Sequence, residues 1–337
     1  MSEETGDAAT GYTAALAAYV ERGREHELEA AFTLGRQAVA DGMTILGLVD
    51  QHRAAVDVLA RECAHLDPRK VEATFQFLSE ALATFEMAQR GYWEAKEMAA
   101  RERAIALMLQ HELLPPSLPD IAGLDVAVRY LPGEATSQAG GDWYDLFPLP
   151  DGQVGLVVGD VTGHGVAAAA SMGQMRMAVL AYALAGFTPG DVVERVDVLV
   201  EALGRGHVAT MVYAIADVAA HELVVANAGH PPPIVVPRDG PSVAVDAGQG
   251  LLLGLDPALN RRAGETVLVP PGSQVLFYTD GLLEPLERRE EDGVARLLEV
   301  TTGFRGTPDD LCELVLAALT PDQSGDDICT LAITFSP

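Results

Sequence analysis

The feature that most constrains this chain is a change of hydrophobic period at Pro115-Pro116-Ser117-Leu118-Pro119. Upstream of that run apolar residues recur every three to four positions, the spacing of a buried helix face; downstream they alternate, the spacing of a half-buried strand. Each proline removes a backbone donor and fixes φ, so the cluster stops any helix that reaches it. Two architectures meet there.

Upstream, four stripes predict four amphipathic helices. They are Tyr12, Leu16, Tyr19 and Val20; Leu28, Ala31, Phe32, Gly35 and Val39; Ile45, Leu48, Val49, His52, Val56 and Leu59; and Val71, Phe75, Leu78, Leu82 and Phe85. Asp67-Pro68 supplies an N-cap and first-turn proline for the fourth. Short connections imply an up-down four-helix bundle over residues 12–87, behind a polar tail at 1–11 expected to be disordered. Helical spacing continues through 88–114 as a linker helix. Its seam of Ala88, Gly91, Ala95, Met98, Ile105 and Leu109 suits either a short coiled coil or a surface helix lying on its own domain.

Downstream, Leu124, Val126, Val128 and Tyr130 alternate with polar or small residues. Further strand-like runs fall at 154–158, 208–215, 223–226, 234–236, 266–269, 275–278 and 328–335, with helices at 166–187, 189–203 and 308–319. Mostly short strand connections favour two antiparallel sheets with helices outside, so residues 115–337 belong to the α+β class.

Composition narrows the function. A formal net charge of −27 makes the surface repel nucleic acid and anionic lipid, so neither is expected as a partner. Cys63, Cys312 and Cys329 have no CxxC spacing, which fits a reducing cytoplasm better than a disulfide framework or thiolate zinc. The opening MSEETGDAAT has no basic and apolar regions of an export signal, again pointing to the cytoplasm. The apolar stretch 166–187 is long enough for a bilayer, but Gln174 and Arg176 at its centre fit a buried helix of a globular domain.

Acidic residues stand at strand ends or in glycine-rich turns: Asp142 in AGGDWYD, Asp160 in VVGDVTGHG, Asp280 in LFYTDGLLE, and Asp326-Asp327 in SGDDICTLAI. Any one of them is also ordinary turn chemistry. Gathered at one sheet end, carboxylates would repel one another and acquire raised pKa values unless cations neutralised them. Oxygen ligands without His or Cys favour Mg²⁺ or Mn²⁺.

These motifs, with ANAGHPPP between the second and third, resemble the SpoIIE-like branch of the PPM (type 2C) metal-dependent protein phosphatases over residues 115–337. The resemblance implies an α-β-β-α sandwich and a centre of two Mn²⁺ or Mg²⁺ ions, with Asp160 bridging, Asp142, Asp280 and Asp326 completing the set, Asp327 beside them, and the Val161 carbonyl as a further ligand. Val161 stands where such enzymes usually have glycine, so that ligand requires a negative φ. His164 and His230 are the histidines within motifs, as supporting residues or as the acid for the leaving group. No basic residue matches the phosphate-binding Arg of the eukaryotic enzymes; Arg129 lies on the outward side of a strand.

FLSEALATFEMAQRGYWEA is similar to the N-terminal domain of RsbU-type phosphatases. That resemblance implies a homodimer, an activating kinase-like partner, and a phosphorylated anti-sigma-factor antagonist as substrate in a stress-response pathway. The cluster Phe85, Met87, Tyr92 and Trp93 suits either packing or partner binding. The expected activity is therefore protein serine/threonine phosphatase; the competing readings are a catalytically inactive phosphoprotein-binding switch and a small-molecule phosphoesterase.

Overall fold

The computed structural model describes residues 4–62, 67–133, 140–204, 208–255, 263–283, 290–320 and 326–336; Cys63 lies outside them. The chain divides into two compact units, Met1–Ala100 and Arg101–Pro337.

The first unit is helical: α1 (Glu4–Arg22), α2 (Glu25–Ala40), α3 (Ile45–Glu62) and the first part of α4 (Pro68–Leu113). Helix α1 begins at Glu4, within the segment 1–11 read from the sequence as a tail. Tyr12, Leu16, Leu48, Phe77 and Phe85 form a fully buried core.

The rotation of two helices differs from the expected stripes. In α4, Val71 and Phe75 are exposed while Thr74, Phe77, Ala81, Thr84 and Phe85 face inward. The cause is a close approach at Gly35 of α2, where a Cβ would lie 2.2 Å from Thr84 Oγ1 and 2.3 Å from the Ala81 carbonyl. Small residues let the backbones meet and so set the phase of α4. In α3, likewise, Leu48, His52, Ala55 and Leu59 are buried while Ile45 and Val49 are exposed.

Helix α4 runs unbroken for 46 residues, so the fourth bundle helix and the linker helix are one element. Residues 90–105 are exposed on every side, which rules out a surface helix lying on its own domain over that stretch. Burial resumes at Ala106 and Gln110.

The second unit is an α-β-β-α sandwich. One sheet has the order β1 (Leu124–Leu131), β10 (Ile328–Phe335), β9 (Gln274–Tyr278), β6 (Ile234–Val236), β7 (Val243–Ala244). The other has the order β2 (Trp143–Pro148), β3 (Gln153–Val161), β4 (Ala209–Asp217), β5 (Glu222–Ala228), β8 (Glu265–Leu268). All neighbouring pairs are antiparallel. Helices α5 (Val166–Leu184) and α6 (Pro189–Leu203) cover the outside of the second sheet through Met172, Met175, Val179, Val192 and Val196. Helices α7 (Glu290–Thr301) and α8 (Pro308–Leu319) cover the first through Leu297, Leu311 and Val315. Thr307 closes a capping box at the start of α8. Three elements had no clear sequence signal: β2, buried on both faces and so without alternation, the two-residue β7, and α7, whose stripe is only Val294, Leu297 and Leu298.

Among the described residues no helix is long and apolar enough to cross a membrane. Arg176 within α5 is matched by Asp145 at 2.7 Å and donates to the Leu113 carbonyl at 2.7 Å.

Candidate active site

Strand periodicity places the polar residues. On β3, Val154, Leu156 and Val158 point into the layer between the sheets, so Asp160 continues the same stripe. The same parity carries Asp142 from Tyr144 and Leu146, Thr210 from Val212 and Ala214, Asn227 from Leu223 and Val225, Thr279 from Val275 and Phe277, and Asp327 from Cys329 and Leu331. One end of the inter-sheet layer is therefore polar, with Asp142, Asn227, Thr279 and Asp327 buried. Asp160 is half-buried, and Asp280 and Asp326 reach solvent at the rim.

Glycines let these elements close together. A Cβ on Gly141 would fall 2.1 Å from the Val161 carbonyl, and one on Gly281 would fall 2.1 Å from the Asp327 carbonyl. The GG of AGGDWYD thus brings the loop carrying Asp142 against the end of β3.

The sequence-identified carboxylates act on one another. Burial, then the charges of Asp280 and Asp326, raise Asp160 to about 7, against a hydrogen bond from Asp142. Asp142 is raised well above the carboxylate range by burial and then by Asp160, opposed by a hydrogen bond from Thr279. Asp326 is raised by burial and by Asp280. Asp142, Asp160, Asp280 and Asp326, from four separate motifs, are therefore brought together. Among the described residues no three His, Cys, Asp or Glu side chains are gathered closely enough to ligate one ion as they stand.

The donor set fits a hard divalent cation. It is all oxygen, and Asp142 Oδ2 is buried without a hydrogen-bond partner. Positive φ among the described non-glycine residues occurs only at Asp151 and His221, so Val161 meets the backbone condition for a carbonyl ligand.

Asp327 is different. Its Oδ1 accepts from the Gly133 amide at 2.9 Å, and its Oδ2 accepts from Gln110 Nε2 at 2.6 Å and from the Tyr130 hydroxyl. Both oxygens accept from protein donors, so Asp327 is held in place beside the other carboxylates. Gln110 and Tyr130 carried no sequence signal, since a single Gln on a helix or Tyr on a strand has a generic surface explanation. Gln110 also reaches the Gly140 carbonyl at 3.3 Å, so the end of α4 bears directly on the carboxylate cluster.

The two motif histidines separate. His164 is exposed, between Gly163 and Gly165 at the entrance to α5, whereas His230 is 3% exposed and has no access to a leaving group. Arg129 pairs with Asp309 at 2.7 Å on α8, away from the carboxylates.

Comparison with known proteins agrees with this geometry. Residues 150–336 match the family described as Stage II sporulation protein E (SpoIIE), and residues 10–88 match the Phosphoserine phosphatase RsbU N-terminal domain. Phosphoserine phosphatase RsbU of Bacillus subtilis is 23% identical over 81% of this chain and 80% of that protein. Protein IcfG of Synechocystis sp. is 26% identical over 67% of this chain and 40% of that protein. The solved RsbU and RsbW domains of Rv1364c from Mycobacterium tuberculosis are 33% identical with a TM-score of 0.59, covering 66% of this chain and 63% of that one. The match thus spans less than half of IcfG and under two thirds of the Rv1364c chain.

Proposed function

We propose, because this chain belongs to the Stage II sporulation protein E (SpoIIE) family of PP2C-type serine/threonine phosphatases, that it dephosphorylates phosphoserine or phosphothreonine on an anti-sigma-factor antagonist. The setting is a cytoplasmic partner-switching stress pathway, and the N-terminal unit is the control element. The observation that carries the catalytic part is the convergence of Asp142, Asp160, Asp280 and Asp326, where burial and neighbouring carboxylates raise Asp142, Asp160 and Asp326.

PP2C-type phosphatases are metal-dependent. Here Asp142, Asp160, Asp280, Asp326 and the Val161 carbonyl would hold two Mn²⁺ or Mg²⁺ ions. Bound there, the ions supply a hydroxide nucleophile near neutral pH and neutralise phosphoryl oxygens. The chain's own residues hold the ligands in place: Thr279 donates to Asp142 and accepts from the Cys329 amide at 2.9 Å, while Gln110, Tyr130 and Gly133 fix Asp327. Asp280 and Asp326 face solvent, the side from which a phosphorylated loop would enter.

Control by the N-terminal unit is supported by α4, whose last turns touch Asp327 through Gln110 and Arg176 through the Leu113 carbonyl. A homodimer, and an activating kinase-like partner, are supported by the exposed Phe32, Ile45, Leu46, Val49 and Phe75 of the helical unit. Phosphate release from a phosphoserine protein should vanish with a chelator and return with Mn²⁺. Full turnover in the chelator would overturn the metal assignment.

A further inference from the structure

His230 stands where the chain crosses from one sheet to the other, in the turn between β5 and β6. Asn227 fixes its backbone, accepting from the His230 amide at 2.8 Å and donating to the His230 carbonyl at 2.9 Å. The ring meets Thr210 Oγ1 through Nδ1 at 2.7 Å, and Thr210 is the residue of β4 directly opposite Asp160. Nε2 is enclosed with no partner at hydrogen-bonding geometry, and the Tyr278 backbone lies close enough to favour a proton on the ring. Tyr278 ends β9, two residues before Asp280. One imidazole therefore touches the strand paired with Asp160 and the strand that delivers Asp280, and those strands lie in different sheets.

We infer that His230 is a positioning residue whose neutral ring sets the spacing of the two sheets at the carboxylate end, and with it the separation of Asp160 from Asp280. The inference rests on the metal-phosphatase reading of that site. With the Thr210 hydroxyl donating to Nδ1, the neutral ring carries its proton on Nε2, the form that the Tyr278 carbonyl favours. Burial lowers the imidazole pKa to about 3, so the clamp adds no positive charge beside a site built for cations. Gly229, at φ +65°, turns the chain just before His230, and a Cβ there would meet Leu252 Cδ2 at 2.4 Å.

The test is calorimetric titration of Mn²⁺ into the full-length protein and its Thr210→Val and His230→Asn variants, beside Mn²⁺-dependent hydrolysis of para-nitrophenyl phosphate. Thr210→Val keeps the side-chain shape and loses only the hydroxyl, so it decides the matter if His230→Asn does not fold. Its Mn²⁺ dissociation constant should rise about tenfold or more, as for loss of other outer-shell partners. At saturating Mn²⁺, kcat should stay within about threefold, the split expected of positioning. The double variant should bind no more weakly than the weaker single variant. Imidazole nitrogen shifts in the unmodified protein should report Nε2–H; a proton on Nδ1 overturns the inference. Well-folded variants that bind Mn²⁺ as the parent does overturn it too. A parent protein that neither binds Mn²⁺ nor hydrolyses the ester overturns the site reading itself and the inference with it.

Discussion

The two units bury their apolar residues differently. In the catalytic unit three layers of core fill both sides of two sheets, and among the described residues no aromatic side chain is one of its exposed large apolar residues. In the helical unit Phe32, Phe75, Tyr92 and Trp93 are exposed while Ala31, Gly35, Ala38 and Ala81 occupy the helix contacts. One unit spends its large residues on its own interior; the other keeps some for a surface. The first pattern is that of a rigid scaffold for chemistry, the second that of a binding module.

Asp160→Asn draws the contrast most sharply. It removes charge from the carboxylate cluster at nearly constant volume, so turnover should fall by roughly 10²–10³-fold or more. The helix content and melting of the helical unit should not change, as circular dichroism would show. Wild-type turnover in that variant would remove Asp160 from the proposed centre.

Next in size is Phe77→Ala. Phe77 is fully buried and stacks edge-on against Tyr12, with ring centroids 5.5 Å apart. Its truncation should cost about 3–5 kcal/mol of bundle stability. Mn²⁺-dependent hydrolysis of a small phosphoester should persist below the new melting point. Loss of that activity in step with bundle melting would merge the two units into one cooperative structure.

How much was legible in the sequence follows the same divide. The carboxylates proposed for the site were readable because they sit at strand ends beside glycines that a close approach requires, as Gly141 and Gly281 show. The sandwich was readable because period-2 alternation survives wherever one strand face packs differently from the other. The phase of α3 and α4 was not, because helix contacts built on Gly35, Ala81 and Thr84 carry no hydrophobic signal, while exposed Phe75 and Val71 mimic a core stripe. Gln110, Tyr130 and Thr210 were invisible for another reason: their roles depend on partners 217, 197 and 20 residues away.

The exposed stretch of α4 offers a third probe. Ile105 is 49% exposed and Leu109 half-buried, just before the turns that reach Asp327 and Arg176. The Ile105→Glu/Leu109→Glu variant should change oligomeric state and basal activity together, by about fivefold or more in activity if the coupling lies in the usual 1–3 kcal/mol range. Sedimentation and phosphate release on the same samples would decide; an unchanged dimer with unchanged activity would sink the coupling.

The smallest effect is on pH dependence, where the units should diverge. His52 is buried against Tyr12 at 3.1 Å with its pKa lowered by burial, so the stability it contributes is present above 6.5 and is lost as pH falls through the lower folded value. Asp142, Asp160 and Asp326 are raised, so in metal-free protein their contribution is full below about 3.8 and is lost as pH rises, for Asp160 through about 7. His230 works against these three in its own unit. Between pH 7 and 5 the helical signal should melt earlier while the metal-free catalytic signal holds or gains, and His52→Gln should flatten the helical trend. Parallel trends in both units would contradict these assignments.

The central claim is that a metal-loaded carboxylate cluster hydrolyses phosphoserine or phosphothreonine on a protein. Its most direct test is phosphate release, with and without Mn²⁺, from a panel of phosphorylated anti-sigma-factor antagonist domains beside a small phosphoester, using the full chain and its Asp280→Asn variant. The account predicts Mn²⁺-dependent release from at least one phosphorylated domain, faster than from the small ester and lost in the variant. Release from the small ester alone, with every phosphoprotein untouched, would contradict it.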